Sequence, residues 1–429
     1  MVTCSRCQQG EQRSTGSGCW HSREVMHTDA DLEAWLANAI NHERTGTFRD
    51  IRIERFRAFL TLLPTPPAPC TVGGTKGKGS TVRLIEAAVL AHGRRTLAFT
   101  SPHVRTVRER WRIDGIPATL ERLAPAARQV AAVEAHQGLS LTYFERTAAM
   151  AVILAATIPE CILLWEVGLG GRLDCANALD CRIAVLTHLS HDHRDVLGPT
   201  LSAIAMEKLP IARADRPLVI APQSAAGETA FRWALAQLSP GALVQWVARH
   251  PRAFALALPG AHQQDNASAA LVATEILLPE FHEAVARRGM ATATLAARCQ
   301  LVTSGEQRIL VDGAHNGPSI AATMAVAHAT LRPGWRLVLG TAIDKEIEEI
   351  AAALPHDVPV HRCGYDSARA RGPTQWPAAL LMTPWHADIT TALRELTDSA
   401  RGFDVCISGS FYLAGEALVA LGAAGEQDG

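Results

Sequence analysis

The sequence has no excess of either charge. Its 41 Lys and Arg stand against 42 Asp and Glu, a formal net charge of −1, so nothing in it points to nucleic acid as a partner. It has no run of about 18 uninterrupted apolar residues, which argues against a membrane span. The first twenty residues, MVTCSRCQQGEQRSTGSGCW, lack the apolar core of a signal peptide. The 10 cysteines are scattered through 429 residues, which argues against a disulfide scaffold and fits a reducing cytosol. The expected setting is cytoplasmic, with neither membrane nor nucleic acid as partner, and a monomer. What remains is ordinary globular composition, 48% hydrophobic and 19% charged, in a chain long enough for two or three domains.

One stretch stands out. Residues 70–83 read CTVGGTKGKGSTVR. A short apolar run ends in Gly73 and Gly74, then Thr75, Lys76, Gly77, Lys78, Gly79, Ser80 and Thr81 lead straight into a helical pattern. Strand, glycine turn, lysine, hydroxyl and helix is the layout of a phosphate-binding loop. Glycines let successive N–H groups curl around a polyphosphate, and the helix N-terminus adds free donors. Lys78 would reach the terminal phosphates and Ser80 would ligand Mg²⁺. The spacing departs from G-x-x-x-x-G-K-[ST], because Val72 replaces the first glycine and Gly79 separates lysine from hydroxyl. Taken alone, the stretch also suits a plain glycine-rich turn.

Residues 1–27 are polar and are expected to form a disordered extension, or to precede a true start at Met26. Cys4, Cys7, Cys19 and His21 offer C-x-x-C and C-x-H, but with little around them to bury and the wrong gap for a common finger. Helices are expected within 29–63. A strand over 94–104 ends in Thr100, Ser101, Pro102 and His103. The segment 105–115 alternates like a strand or hairpin arm, and Arg105, Arg108, Arg110 and Arg112 read either as a solvated edge or as a basic rim for an anionic substrate. Thr142 should cap a helix running to 157. The buried strand 161–167 ends near Glu166 before a glycine turn, a usual place for metal ligands in α/β folds. The strand from 182 ends in His188, His191, Asp192 and His193. Glu207 and Lys208 sit on a helix, short strands follow over 242–258, and a further helix is capped near Asp265 or Asn266. From about 296 the strand–helix alternation restarts, with strands at 308–316, 336–342, 358–364, 380–385 and 404–410. No G-x-G-x-x-G occurs there, which argues against dinucleotide binding.

Together these motifs resemble the folylpolyglutamate synthase/dihydrofolate synthase branch of the Mur ligase superfamily. GTKGKGS (74–80), TSPHV (100–104), EVGLGGRLDCAN (166–177), DHRDVLG (192–198), IAMEK (204–208), LPGAHQQDN (258–266), DGAHN (312–316) and GSFYLAGE (409–416) follow that family's order over about residues 28–425. The resemblance implies an α/β, Mur-ligase-like fold. A central P-loop ATPase domain with a mostly parallel sheet (28–296) would precede a smaller Rossmann-like domain (297–429). It implies that ATP activates a carboxylate as an acyl phosphate, which an amino acid's amine converts to an amide. By resemblance, Gly74, Thr75, Gly77, Lys78, Gly79, Ser80 and Thr81 hold the phosphates. Ser80 and Glu166 hold one Mg²⁺, and His193 a second. Lys208 is the lysine carbamylated in that family. Asn266 contacts adenine, Arg298 reaches the phosphates from the second domain, and Asp312 and His315 lie on the ribose and phosphate side. Thr142, Phe144, Asp174 and Cys175 line the pterin pocket. Alone, His193, Lys208 and Glu166 would read as ordinary surface or strand-end residues, and Asp312 as a helix cap.

The departures gather where the carboxylate substrate should lie. Lys76 replaces the loop's Asn, Arg108 that of N-E-R, Cys175 and Ala176 an Ala-Thr, and Ala261 the Arg of P-G-R-H-Q. Arginines are added over 44–55. A lysine at that loop position resembles the related poly-γ-glutamate ligases. The expected reaction joins L-glutamate to a pteroate or folate carboxylate. The alternative is a paralogue joining an amino acid to another, more acidic carboxylate.

Overall fold

The computed structural model describes residues 26–42, 52–397 and 402–422. Cys4, Cys7, Cys19 and His21 lie outside them. Short apolar, β-branched runs make the strands. In chain order these are β1 (Cys70–Gly73), β2 (Thr96–Phe99), β3 (Trp111–Ile113), β4 (Ile116–Pro117), β5 (Ile162–Glu166), β6 (Ile183–Leu186), β7 (Pro217–Ile220) and β8 (Leu243–Trp246). They form one sheet in the order β4-β3-β2-β5-β1-β6-β7-β8, parallel except at β3 and β4. A second sheet holds β9 (Gln300–Ser304), β10 (Gln307–Val311), β11 (Arg336–Leu339), β12 (Val360–Cys363), β13 (Trp385–His386) and β14 (Val405–Ser408). Its order is β13-β12-β11-β14-β10-β9, with β9 antiparallel at the edge. The fold class is α/β, as the resemblance implies.

Strands β1, β2, β5 and β6 are buried along their whole length. Parallel strands need cover on both faces, so their sequences run apolar without alternation. One face carries Phe99, Trp111 and Trp165 against the helix Tyr143–Thr157, with Phe99 and Trp165 ring centroids 4.6 Å apart. The other face is covered by the helices Lys78–Ala91, His262–Leu277 and Glu283–Ala291. The second sheet is layered in the same way, with Gly317–Thr330 on one face and Ile389–Thr397 and Phe411–Ala420 on the other. No helix among the described residues is long and apolar enough to cross a membrane.

Five local expectations need correcting. The segment 105–115 is not one strand, because Val107–Arg110 is a 3-10 turn with a Thr106–Glu109 capping box. The Glu109 carboxylate accepts the N–H groups of Val104, Arg105 and Thr106, which curls the backbone out of any ladder. Its arginines form no solvated edge either: Arg112 is buried and donates to the fully buried Glu86 at 3.1 Å. Residues 380–385 are largely non-strand. Ala378–Leu381 is a helical turn, and the Arg362 guanidinium takes the Leu381 and Thr383 carbonyls that a ladder would need. The helix expected to be capped at Asp265 or Asn266 begins at His262. The cap before Gly317–Thr330 is Asn316, not Asp312.

Candidate active site

The loop after β1 is shaped by close approach. Gly74 has φ +131°, and a Cβ there would lie 2.0 Å from Thr187 Oγ1. Gly77 has φ +91°, and its Cβ would lie 2.2 Å from Asn266 Oδ1. Only glycine meets both the left-handed backbone and the contact. The loop is pinned to the exit of β6, where Thr75 and Lys76 both donate their N–H to the His188 carbonyl, at 3.0 and 3.1 Å. The helix Lys78–Ala91 then starts, and its first turn aims free N–H groups at the space ahead. Gln263 Nε2 donates to Ser80 Oγ at 3.3 Å, and Asn266 donates to Gln263 at 2.9 Å. The start of His262–Leu277 thus braces the loop.

Register brings a carboxylate beside it. Glu166 ends β5 opposite Val72 of β1. It is buried, and its Oε2 accepts the Ser101 N–H at 3.1 Å. Burial raises its pKa, with the Lys78 cation opposing. A Cβ on Gly79 would lie 3.4 and 3.5 Å from the two carboxylate oxygens, so Glu166 lies over the loop backbone next to Ser80. One hydroxyl, one carboxylate and a polyphosphate are a donor set that suits Mg²⁺, which keeps several waters. Among the described residues no group of three or more His, Cys, Asp or Glu side chains is poised for a metal. Glu166 and His193 are therefore not members of one such group. His193 has φ +48° at the start of the short helix Arg194–Leu197. Its side chain is 38% exposed, and partial desolvation at the cavity, with the Lys345, Lys78 and Lys76 cations, moves its imidazole pKa down.

Lys208 ends the helix Leu201–Lys208 and is buried, donating to the Gly74 carbonyl at 2.9 Å. Burial first, and Lys78 next, push its pKa down to about 7. Lys76 is tied to Asp192 at 2.7 Å. Asn316 of the second sheet reaches the same Asp192 oxygen at 3.4 Å, so one carboxylate joins the two halves.

From the second sheet, Asp312 follows β10. One of its oxygens accepts the Cys299 N–H at 2.7 Å. The other accepts Ala314 N–H at 2.9 Å and the Thr323 hydroxyl at 2.7 Å. Arg298 stacks over the Phe411 ring at 4.4 Å. His315 bonds the Gly313 carbonyl through Nδ1 at 2.9 Å, and burial pushes its pKa down to about 3.

The wall facing the loop is made by the next strand exits. Thr142 and Glu145 form a capping box on Tyr143–Thr157, and Glu145 also takes Arg55 at 2.7 Å. The cap fixes Thr142 and Phe144. The Phe144 ring leans over Gly168, where a Cβ would lie 2.8 Å from it. Asp174 accepts the N–H groups of Gly168, Leu169 and Ala176 at 3.0, 3.1 and 2.9 Å. Burial still lifts its pKa to about 6. Cys175 is buried beside it, its thiol pKa raised by burial. The residues assigned by resemblance to the nucleotide, metal and pterin, apart from Gly74, Thr81 and Lys208, line one cavity of about 1690 Å³ with walls from both sheets. Sequence reasoning missed Gln263, which was readable only as part of LPGAHQQDN. It also missed Ser101 and Asp192 as partners of Glu166 and Lys76.

No family model matches the chain. It is 34% identical over 347 residues to the dihydrofolate synthase/folylpolyglutamate synthase of Escherichia coli (strain K12), spanning 75% of this chain and 79% of that one. This chain belongs to the dihydrofolate synthase/folylpolyglutamate synthase family. The Mycobacterium tuberculosis protein of the same name is 30% identical over 356 residues, 71% of this chain and 72% of that one. Among solved structures, E. coli FolC in complex with DHPP and ADP matches with a TM-score of 0.80 at 26% identity. That match covers 94% of this chain and 99% of that one. A bifunctional folylpolyglutamate synthase/dihydrofolate synthase with Mn, AMPPNP and L-glutamate bound matches at 0.78 and 27% identity, covering 94% and 99%. Membership of this family of ligases makes the chain an ATP-dependent enzyme that forms a C–N bond.

Proposed function

We propose that this family member joins L-glutamate to a pteroate or folate carboxylate, releasing ADP and phosphate. The observation that carries the reading is the shared cavity. The phosphate loop of the first sheet and Arg298 and His315 of the second open into a space of about 1690 Å³. Single-ligand sites run to roughly 300–1,000 Å³, so there is room for nucleotide, acceptor and amino acid together.

The loop amides from Gly74 to Thr81 and the Lys78 ammonium hold the triphosphate, with Arg298 and His315 closing on it from the second sheet. Ser80 and Glu166 hold Mg²⁺, and His193 a second ion. The bound metal would neutralise charge on the transferring phosphoryl group. Asn266 meets adenine. Asp312, with both oxygens engaged, acts by shaping its turn on the ribose side. Thr142, Phe144, Asp174 and Cys175 hold the pterin. The substrate carboxylate attacks the γ-phosphate to give an acyl phosphate, and the glutamate amine then displaces phosphate.

Lys208 is the proposed carbamate site. CO₂ adds to a free amine, and a pKa near 7 leaves much of this lysine unprotonated at neutral pH. Lys208→Ala should nearly abolish turnover. Wild-type turnover should fall in bicarbonate-depleted buffer, and full activity there would remove the carbamate. The deciding assay is ADP release with ATP, Mg²⁺, L-glutamate and either dihydropteroate or tetrahydrofolate, with product mass. A glutamate adduct supports the reading. ATP binding without adduct turns it toward the other acidic carboxylates that Lys76, Arg55 and Arg105 at the cavity favour.

A further inference from the structure

Between the two ends of the cavity runs the loop after β2, and on it one side chain is held in a single chemical form. Arg110 Nε donates to His103 Nδ1 at 2.9 Å. A guanidinium can only donate, so Nδ1 must be the unprotonated nitrogen. The ring proton is therefore on Nε2. Among the described residues Nε2 has no partner in the protein, and His103 lines the cavity.

The loop lies where the reacting carboxyl group has to be. Two residues earlier, the Ser101 N–H is on Glu166, beside Ser80 and the phosphate loop. Arg110 itself is buried and stacks over the Tyr143 ring, 5.1 Å from its centroid. Tyr143 stands between Thr142 and Phe144 of the pterin wall. An acceptor that seats its ring at Phe144 and its carboxylate at the phosphates passes His103.

We propose that His103, through Nε2–H, donates a hydrogen bond to the reacting carboxyl oxygen, and that Arg110 is the positioning residue that fixes its tautomer and ring orientation. This rests on the ligase reading above. When the free amine attacks the acyl phosphate, the C–N bond forms and the carbonyl π pair moves onto that oxygen. Collapse re-forms C=O and expels phosphate with the C–O pair, and the nitrogen's proton leaves to solvent. His103 moves no proton: it supplies a fixed donor where charge develops, the arrangement that stabilises such intermediates most. Burial, with Arg110 beside it, pushes its pKa down to about 3, so it remains an uncharged donor at working pH.

The test pairs two variants of the full chain. His103→Gln sets an amide N–H near the position of Nε2, whereas His103→Asn sets one near Nδ1. His103→Asn should lose about 10²-fold in kcat with KM for the acceptor little changed, and His103→Gln should recover a large part. Arg110→Met, which keeps volume without the donor, should also lose kcat rather than KM. Nitrogen-15 NMR of histidine-labelled wild type, assigned with His103→Asn, should give an unprotonated Nδ1 and a protonated Nε2 with no titration near neutral pH. That readout needs no turnover. A protonated Nδ1, wild-type kcat in His103→Asn, or a loss confined to KM would overturn the proposal. If wild type forms no glutamate adduct while the tautomer is as stated, the ligase reading fails and the donor role falls with it, but the Arg110 positioning stands.

Discussion

The two ends of the cavity are built by different means. At the phosphate end the closest contacts are backbone. Gly74 and Gly77 press against Thr187 and Asn266, and loop N–H groups pair with the His188 carbonyl. At the acceptor end they are made by side chains, two of them from distant parts of the chain, Arg55 on Glu145 and Arg57 on the Asn177 carbonyl, and one within a single loop, Arg110 on His103. A polyphosphate offers the same oxygens whatever the acceptor, so a backbone cradle suits it. An acceptor wall made of side chains can change its charge without disturbing the fold. That is where this chain carries its additional cations.

The largest effect should come from giving the cradle a side chain. Gly77→Ala adds a Cβ 2.2 Å from Asn266 Oδ1 at φ +91°. Left-handed strain of roughly 1–2 kcal/mol adds to that overlap, so ATP affinity should fall by about a hundredfold or more. Acceptor binding should stay near wild type. Calorimetric titration with each ligand decides it, and equal losses for both would mean that the two ends are one mechanical unit.

At the acceptor end the corresponding test is electrostatic. Asp174 has a pKa raised from 3.8 to about 6 by burial, so its protonated form is favoured in the folded chain. Its contribution to stability is full below about pH 4 and lost as pH rises through 6, roughly 3 kcal/mol in all. Asp174→Asn should remove that slope between pH 4 and 6 in denaturant midpoints. It should also flatten any rise in acceptor KM below pH 6, where wild-type Asp174 takes up its proton. ATP affinity should follow neither change. An unaltered slope would mean that the three backbone donors, not burial, set the charge of Asp174.

The same division separates what could be read from the sequence from what could not. The loop glycines, Glu166 at its strand end and the Thr142 cap are local signals, because each needs only neighbours in sequence. The strand or hairpin arm expected over 105–115 holds only for Trp111–Ile113, which pairs antiparallel with β2 and β4; before it, Glu109 turns its carboxylate onto three preceding N–H groups, a local alternative that alternation does not reveal. The strand over 380–385 failed because Arg362, nineteen residues upstream of Leu381, takes its carbonyl. The helix at His262 starts earlier than its carboxylate and amide suggest, since Asn266 is buried against the loop instead of capping. Arg110 and Arg112 read as a charged rim because burial of an arginine depends on a partner that the sequence does not mark. For Arg112 that partner is Glu86, on a different element.

The smallest effect discriminates between kinds of contact at the acceptor wall. Glu145 does two jobs: its Oε2 accepts the Thr142 N–H and the Arg55 guanidinium, both at 2.7 Å. The Arg55 side chain is 39% exposed, and an ion pair of that kind contributes at most about 1 kcal/mol. Arg55→Ala should therefore shift stability by less than about 1 kcal/mol and leave the helix start intact. Glu145→Ala also removes the carboxylate half of the capping box, leaving the Thr142 N–H without its acceptor while the Thr142 hydroxyl still caps the 145 N–H, which costs about 1–2 kcal/mol and loosens Thr142 and Phe144. Glu145→Gln keeps a capping-box residue and should retain most of that difference. Denaturant midpoints rank the three, and acceptor KM should follow Glu145→Ala but not Arg55→Ala. If Arg55→Ala were the costlier change, the wall would be held by its charges instead of its helix cap, and the added arginines would be structural, not a basic lining for the substrate.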